Sequence, residues 1–577
     1  MTGNHTDHPR SQLLNRLRLL FLFIVSLWLV NIAQAQTNAP FRDVTREARI
    51  FEPLLYGIDK MSGQAWGDFN NNGWLDLYLT NPSGPNILYE NNGDGTFTIS
   101  DLTNQVALPD AWSAGAIFID YDNDGWLDLY VVNWEANVLF RNDEGRGFID
   151  VTEEAGVGDM GNGKTASWGD FNQSGYLDLY VANWACYPRC GRPSEGDRDT
   201  LYLNNGDGTF TDVTHWLRGN TRGAGFVASF VDYNNNGLLD IYLVNDEFIN
   251  PIGNVLWRND GPGCDGWCFT NVSAEAGADT RLMGMGLATA DFNGNGYLDF
   301  YFSNAGPQAL LFNQGDGTFV EAAAAAGVNH PGGIGWAAIP LDFDNDGWPD
   351  IYLAISDPTS REGSMMNPLF HNQGDGTFVN LGAASGAGNM AGTVGIAYAD
   401  YDRDGWVDFV IGNYREGYFL YRNQMGSQSD HNWLALKLIG DGPVNRNGVG
   451  TKVTVVDSNG RSQLQQLIAG ASLGAGNALE LYYGLGTATI DHLLVAWPDG
   501  SQQRYDNITP NQYYSLIYGQ DEAVADILTN ANAPLLNSDL TTTSPNPLWL
   551  GLLVFALLAL PGLILAFIDT YRRSTLA

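Results

Sequence analysis

Basic side chains are scarce in this sequence: 28 Lys and Arg face 65 Asp and Glu over 577 residues, a formal charge of −37. That balance excludes a nucleic-acid binder, whose affinity rests on Lys and Arg neutralising phosphates. Charged residues of either sign make up only 16% of the chain, so the acidic groups must be concentrated in few places. Histidine is also rare. Beyond the N-terminal segment there are His215, His330, His371, His431 and His492, with neither a nucleophile motif nor zinc spacing beside them. That argues against acid–base catalysis, in which His is the commonest participant. Disorder is excluded by what is plentiful, since 44% hydrophobic and 12% aromatic residues supply apolar surface for folding. The 69 glycines and 17 tryptophans point to many turns between aromatic-rich strands, and the length calls for at least two domains.

The two ends differ from the middle. Arg10, Arg16 and Arg18 precede an apolar run over 19–30 and then Ala33-Gln34-Ala35, which predicts a secretory signal over 1–35, removed after Ala35. Residues 548–568 carry no charge and, at about 1.5 Å per residue, are long enough for a transmembrane helix. Arg572 and Arg573 follow, so the positive-inside rule places the tail 569–577 in the cytoplasm and the rest outside it. Residues 520–547, rich in Asn, Thr, Ser and Pro, read as a flexible stalk.

Between the ends one nine-residue string recurs seven times, at intervals of about fifty to sixty residues, which marks a repeat array. It offers oxygen at positions 1, 3, 5 and 9 and glycine at 6. The successive sets are Asp68, Asn70, Asn72, Asp76; Asp120, Asp122, Asp124, Asp128; Asp170, Asn172, Ser174, Asp178; and Asp232, Asn234, Asn236, Asp240. The last three are Asp291, Asn293, Asn295, Asp299; Asp342, Asp344, Asp346, Asp350; and Asp400, Asp402, Asp404, Asp408. Ca²⁺ takes about six to eight oxygens, and a tight loop with this spacing and a carbonyl at position 7 wraps one ion. The sequence thus predicts up to seven Ca²⁺ sites, strongest where four aspartates meet, in the loops from Asp120, Asp342 and Asp400. The alternative is an Asx-rich turn without metal, and the loop from Asp170 is the poorest site.

Around the strings the pattern is apolar run, loop, apolar run, short strand and a strand opening on Phe, with a Gly-Asp-Gly turn before the last strand at 93–95, 206–208, 315–317 and 374–376. Four antiparallel strands per unit is the grammar of a β-propeller blade. Asp94, Asp207, Asp316 and Asp375 in the Gly-Asp-Gly turns are expected to form Asx-turns. The seventh unit lacks its last strand, and Phe41-Arg42-Asp43-Val44-Thr45 stands alone at the other end of the array, so this segment is expected to complete the ring. Cys186 with Cys190 and Cys264 with Cys268 are expected to form two small disulfide loops, the simplest of three connectivities.

The array of oxygen-rich loops resembles the FG-GAP/VCBS repeats of integrin α-chain heads. From His431 a new pattern begins, with Asn432-Trp433-Leu434, Asn445-Arg446-Asn447-Gly448, Tyr483-Gly484-Leu485-Gly486 and Trp497-Pro498-Asp499-Gly500. It resembles the ASPIC/UnbV domain of the cartilage acidic protein-like family, departing from it at Gly474-Ala475-Gly476-Asn477-Ala478. The expected fold is all-β: a seven-bladed propeller over 40–425, a small β-sandwich over 431–518 and one C-terminal transmembrane helix. The expected function is a calcium-binding, membrane-anchored extracytoplasmic protein that binds a protein or glycan, with Trp134, Trp184 and Trp216 as contact residues or as packing between blades. Two alternatives stand beside it: a polysaccharide-acting, lyase-like enzyme, and a scaffold for other surface proteins.

Overall fold

The computed structural model describes residues 39–526, apart from 52–60, 83, 187–195, 250–251, 331, 357–364, 415 and 471. The signal segment, Cys190, the span 548–568 and the tail lie outside the described residues. Among the described residues no helix is long and apolar enough to cross a membrane.

Each of the first six repeats folds into four antiparallel strands of one sheet, and the seventh supplies three. In unit two the strands are Trp112–Ile119, Asp128–Trp134, Val138–Asn142 and Phe148–Asp150. Leu129, Tyr130, Val131 and Val132 are all fully buried. Side chains alternate across a strand, so this continuous apolar run serves two neighbours. Leu129 and Val131 pack with Ala65, Phe69 and Tyr78 of unit one, while Tyr130 and Val132 pack with Trp168, Leu179 and Val181 of unit three. Each such side chain contributes about 1.5–3 kcal/mol through burial. The innermost strands touch in succession, from Gln64–Gly67 round to Thr393–Ala399, which touches Gln64–Gly67 again. The result is an all-β array of stacked sheets consistent with a β-propeller.

The last sheet is completed as the sequence predicts. Phe41–Asp43 pairs antiparallel with Gly417–Asn423, Phe41 opposite Asn423 and Asp43 opposite Tyr421. In units two to seven the innermost strand carries a register shift near its start. The residues there point to the axis: Ala114, Phe226 and Met285 share an apolar cluster, with Trp336 packed against it. In unit three this residue is Lys164.

Beyond the array, two further four-stranded sheets share one core. One orders Glu480–Gly486, Asn432–Ile439, Gln512–Ile517 and Val524–Ala525; the other orders Ser462–Gln466, Lys452–Asp457, Ile490–Ala496 and Gln502–Asp506. Leu434, Leu436 and Leu438 of the first face Val453, Val455 and Val495 of the second in that core. Within the stretch expected as a stalk from residue 520, Val524–Ala525 pairs with Tyr514 and Ser515, and Asp526 meets Arg403 at 2.6 Å, so residues up to 526 belong to this module.

A segment of this module reaches into the centre of the array. Ala475–Gly476 adds in parallel to Gln64–Gly67, Ser472 Oγ donates to the Ala338 carbonyl at 2.9 Å, and Leu473 joins the axial apolar cluster. Backbones meet closely here. A Cβ on Gly474 would lie 2.7 Å from the Ala114 carbonyl oxygen, and Gly474 has φ +67°, which glycine adopts without strain. The small residues that depart from the family pattern are therefore what this insertion requires.

Candidate metal centre

All seven nine-residue strings form the same loop between the first and second strands of their sheets. The position-1 carboxylate accepts from the backbone N–H groups of positions 5 and 6, at 2.6–3.1 Å in every unit. The position-5 side chain accepts from the N–H of position 7 in every unit. These bonds close the turn. The Gly-Asp-Gly aspartates do make Asx-turns: Asp94, Asp207, Asp316 and Asp375 each accept from the N–H and hydroxyl of the threonine two residues on.

The position-9 aspartates are fully buried. One oxygen of each accepts from the backbone N–H of an asparagine of the third strand, at 2.7–2.9 Å. The other oxygen of Asp76, Asp240 and Asp408 is buried without a hydrogen-bond partner, as is Asp344 Oδ1. Burying a carboxylate without compensation is costly, so these oxygens fit a cation. Three of the four-residue sets converge closely: Asp120, Asp122 and Asp128; Asp342, Asp344 and Asp350; Asp400, Asp402 and Asp404 each present oxygens within 4.8 Å of one another. These are the three loops that carry four aspartates. Burial pushes the Asp120 carboxyl up to about 7, with Asp124 and Asp122 adding to the rise, and pushes Asp170 up to about 6. Burial raises Asp128, Asp299 and Asp350 as well.

These asparagines of the third strands lie outside the nine-residue string, and they link the units. Asn91, Asn142, Asn204, Asn259, Asn313, Asn372 and Asn423 each donate to the position-2 carbonyl of the preceding unit, at 2.8–3.0 Å. The circuit closes because Asn91 of unit one reaches Tyr401 of unit seven. A second circuit joins the loops. The position-4 side chain donates to the position-6 carbonyl of the next loop from Asn71, Asn123, Gln173, Asn235, Asn345 and Arg403. Unit five has Gly294 at position 4 and no such bond. The carbonyl it would reach, that of Gly347, accepts instead from Arg461 of the C-terminal module.

That module lies over the loops. Arg461 stacks on Trp348 with 3.9 Å to the ring centroid. Lys452 Nζ donates to Asp232 Oδ2 at 2.8 Å, Asn447 accepts from the Asp120 N–H at 2.9 Å, and Tyr513 donates to Asp400 Oδ2 at 2.5 Å. His431 Nδ1 lies 2.7 Å from the Asp344 carbonyl. His371 is a second residue that the sequence did not flag: its Nε2 stands 3.4 Å from Asp344 Oδ2 and 3.7 Å from Asp346 Oδ2. Cys264 and Cys268 are bonded across the turn of a hairpin, and Cys186 is also disulfide-bonded. Trp184 and Trp216 pack against Phe226 and Phe171 respectively, so packing accounts for both.

Known proteins give the family. The FG-GAP-like repeat family matches residues 68–131, 120–181, 190–243, 291–353 and 342–411, together half of the chain, and the ASPIC and UnbV family matches 441–523. Cartilage acidic protein 1 of Homo sapiens is 25% identical over 423 residues, covering 58% of this chain and 63% of that protein. Its Xenopus tropicalis counterpart is 32% identical over 165 residues, 26% of this chain and 24% of that one. The chain thus spans less than two thirds of the length of these relatives. Among solved structures, an Agrocybe aegerita lectin that recognises non-reducing terminal N-acetylglucosamine is 18% identical with a TM-score of 0.37, over 58% of this chain and 84% of the lectin. The BP39L lectin of Burkholderia pseudomallei is 10% identical with a TM-score of 0.39, over 63% and 96%. Likenesses at this level carry no argument about what this chain binds. With its repeats and its C-terminal module both matched, the chain belongs to the FG-GAP-like repeat family and carries an ASPIC and UnbV module.

Proposed function

We propose that this chain is a calcium-stabilised, seven-bladed propeller that works outside the cytoplasm as a binding or adhesion protein and performs no catalysis. The observation that carries the calcium reading is the buried carboxylate oxygens without hydrogen-bond partners, at Asp76, Asp240, Asp344 and Asp408, each a residue of an oxygen-rich loop. In each loop the ion would be held by the side chains at positions 1, 3, 5 and 9. It would supply no chemistry beyond neutralising charge and fixing the turn. The bonded Cys264 and Cys268 favour an oxidising compartment. Because the C-terminal module lies over the loop face, the partner, a protein or a glycan, would bind the opposite face. In this reading the span 548–568 anchors the molecule to a membrane.

Calcium titrated into metal-free protein is expected to be taken up at several sites and to raise Tm by several degrees, as an ion that binds only the folded state must. Asp120→Asn with Asp128→Asn is expected to remove one site. A metal-free protein that takes up no calcium and melts at the same temperature with it overturns the reading.

A further inference from the structure

One side chain precedes the linking asparagine in each third strand, and its chemistry follows that of the loop. The loops with aspartate at both positions 3 and 5 are paired with Arg141, His371 and Arg422. The others are paired with Glu90, Leu203, Phe312 and Arg258, and the Arg258 guanidinium is turned to Asp260 at 2.7 Å. In unit seven the contact is direct: Arg422 Nε donates to Asp402 Oδ2 at 2.5 Å, and its NH2 group donates to Asp404 Oδ2 at 2.8 Å. The Arg422 side chain is 17% exposed. In unit two, by contrast, Arg141 is exposed.

A guanidinium is permanently charged and has no lone pair to offer a metal. It can only hold the carboxylates that an ion also needs. We infer that Arg422 is a resident counter-cation of the seventh loop, competing with the ion for Asp402 and Asp404 and making this the weak site among the three four-aspartate loops. The inference rests on the calcium reading above. It alters the ranking that counting aspartates produces, in which the loops from Asp120, Asp342 and Asp400 stand level.

The test compares the full chain with its Arg422→Met variant, using Ca²⁺ calorimetry and Tb³⁺ luminescence sensitised by Trp406 at position 7 of the loop. One site is expected to tighten by about fivefold or more, the effect of removing one nearby charge, with the number of ions unchanged. Without calcium the variant is expected to melt below the parent, because its carboxylates have lost their partner; saturating calcium is expected to close that gap. Arg422→Lys, which keeps the charge, is expected to bind close to the parent. Unchanged or weaker affinity in Arg422→Met, or a Tm deficit that calcium does not close, overturns the inference. Parent protein that takes up no ion overturns the calcium reading itself, so the two failures are distinguishable. If the methionine variant does not fold, Arg422→Gln carries the same comparison.

Discussion

Lys164 occupies a position where units two, four and six place Ala114, Phe226 and Trp336, and it is 4% exposed. Its ammonium lies 5.5 Å from the Trp134 ring centroid and 5.1 Å from that of Trp184, and no carboxylate among the described residues pairs with it. Burial pushes its pKa down to about 7, against about 10.4 for an unfolded lysine. The native state therefore gives up this proton more readily, so stability rises with pH between about 7 and about 10. Lys164→Met is expected to stabilise the fold at pH 7 by about 2 kcal/mol and to flatten that rise; thermal melts from pH 7 to 10 check both. A destabilised variant would show that the two ring contacts outweigh the cost of burial. At this scale the sequence exposed the oxygen-bearing side chains of the loops by their spacing. It could not expose Lys164 as axial, because the register shift that aims it inward leaves no local signature.

Each third strand carries an asparagine that serves three masters: its N–H binds the buried aspartate, and its amide bridges two carbonyls. Asn142 donates to Phe69 of the preceding unit and to Leu127 of its own, at 2.8 and 2.9 Å. Asn142→Ala leaves both carbonyls buried and unpaired, at a cost of about 2–4 kcal/mol. Asn205→Ala, in an exposed turn, is expected to stay within about 0.5 kcal/mol. Denaturation midpoints of the two variants make the comparison, and equal values would remove the linking role. The strands themselves and the completion of the last sheet by Phe41–Asp43 were legible, because apolar runs and a missing segment both show in a repeating text. The linking bonds were not, since Asn142 and Phe69 belong to different repeats and only the closed array brings them together. The asparagine was in view all along, one residue before each turn.

For the molecule as a whole, the buried aspartates set how stability responds to acid. Asp120 titrates near 7 when folded and near 3.9 when unfolded, so between those values the metal-free native state holds the extra proton. Metal-free protein should therefore lose stability as pH rises from about 4 to about 7. Calcium should reverse the sign, since protons then compete with the ion for the same oxygens. Melts at pH 5 and 7.5, with calcium and with chelator, are expected to slope in opposite directions; parallel slopes would mean that the loops hold no ion. The two-part organisation was legible in the break at His431. That the second part covers the loops of the first was not, because contacts such as Arg461 with Gly347 lie between segments with no shared pattern.

The pairing of Phe41–Asp43 with Gly417–Asn423 also bears on the order of assembly. A growing chain holds Phe41–Asp43 idle until its partner Gly417–Asn423 emerges. Until then both ends of the array present bare backbone, and the molecule is most open to chaperones, proteases and its own copies at that stage.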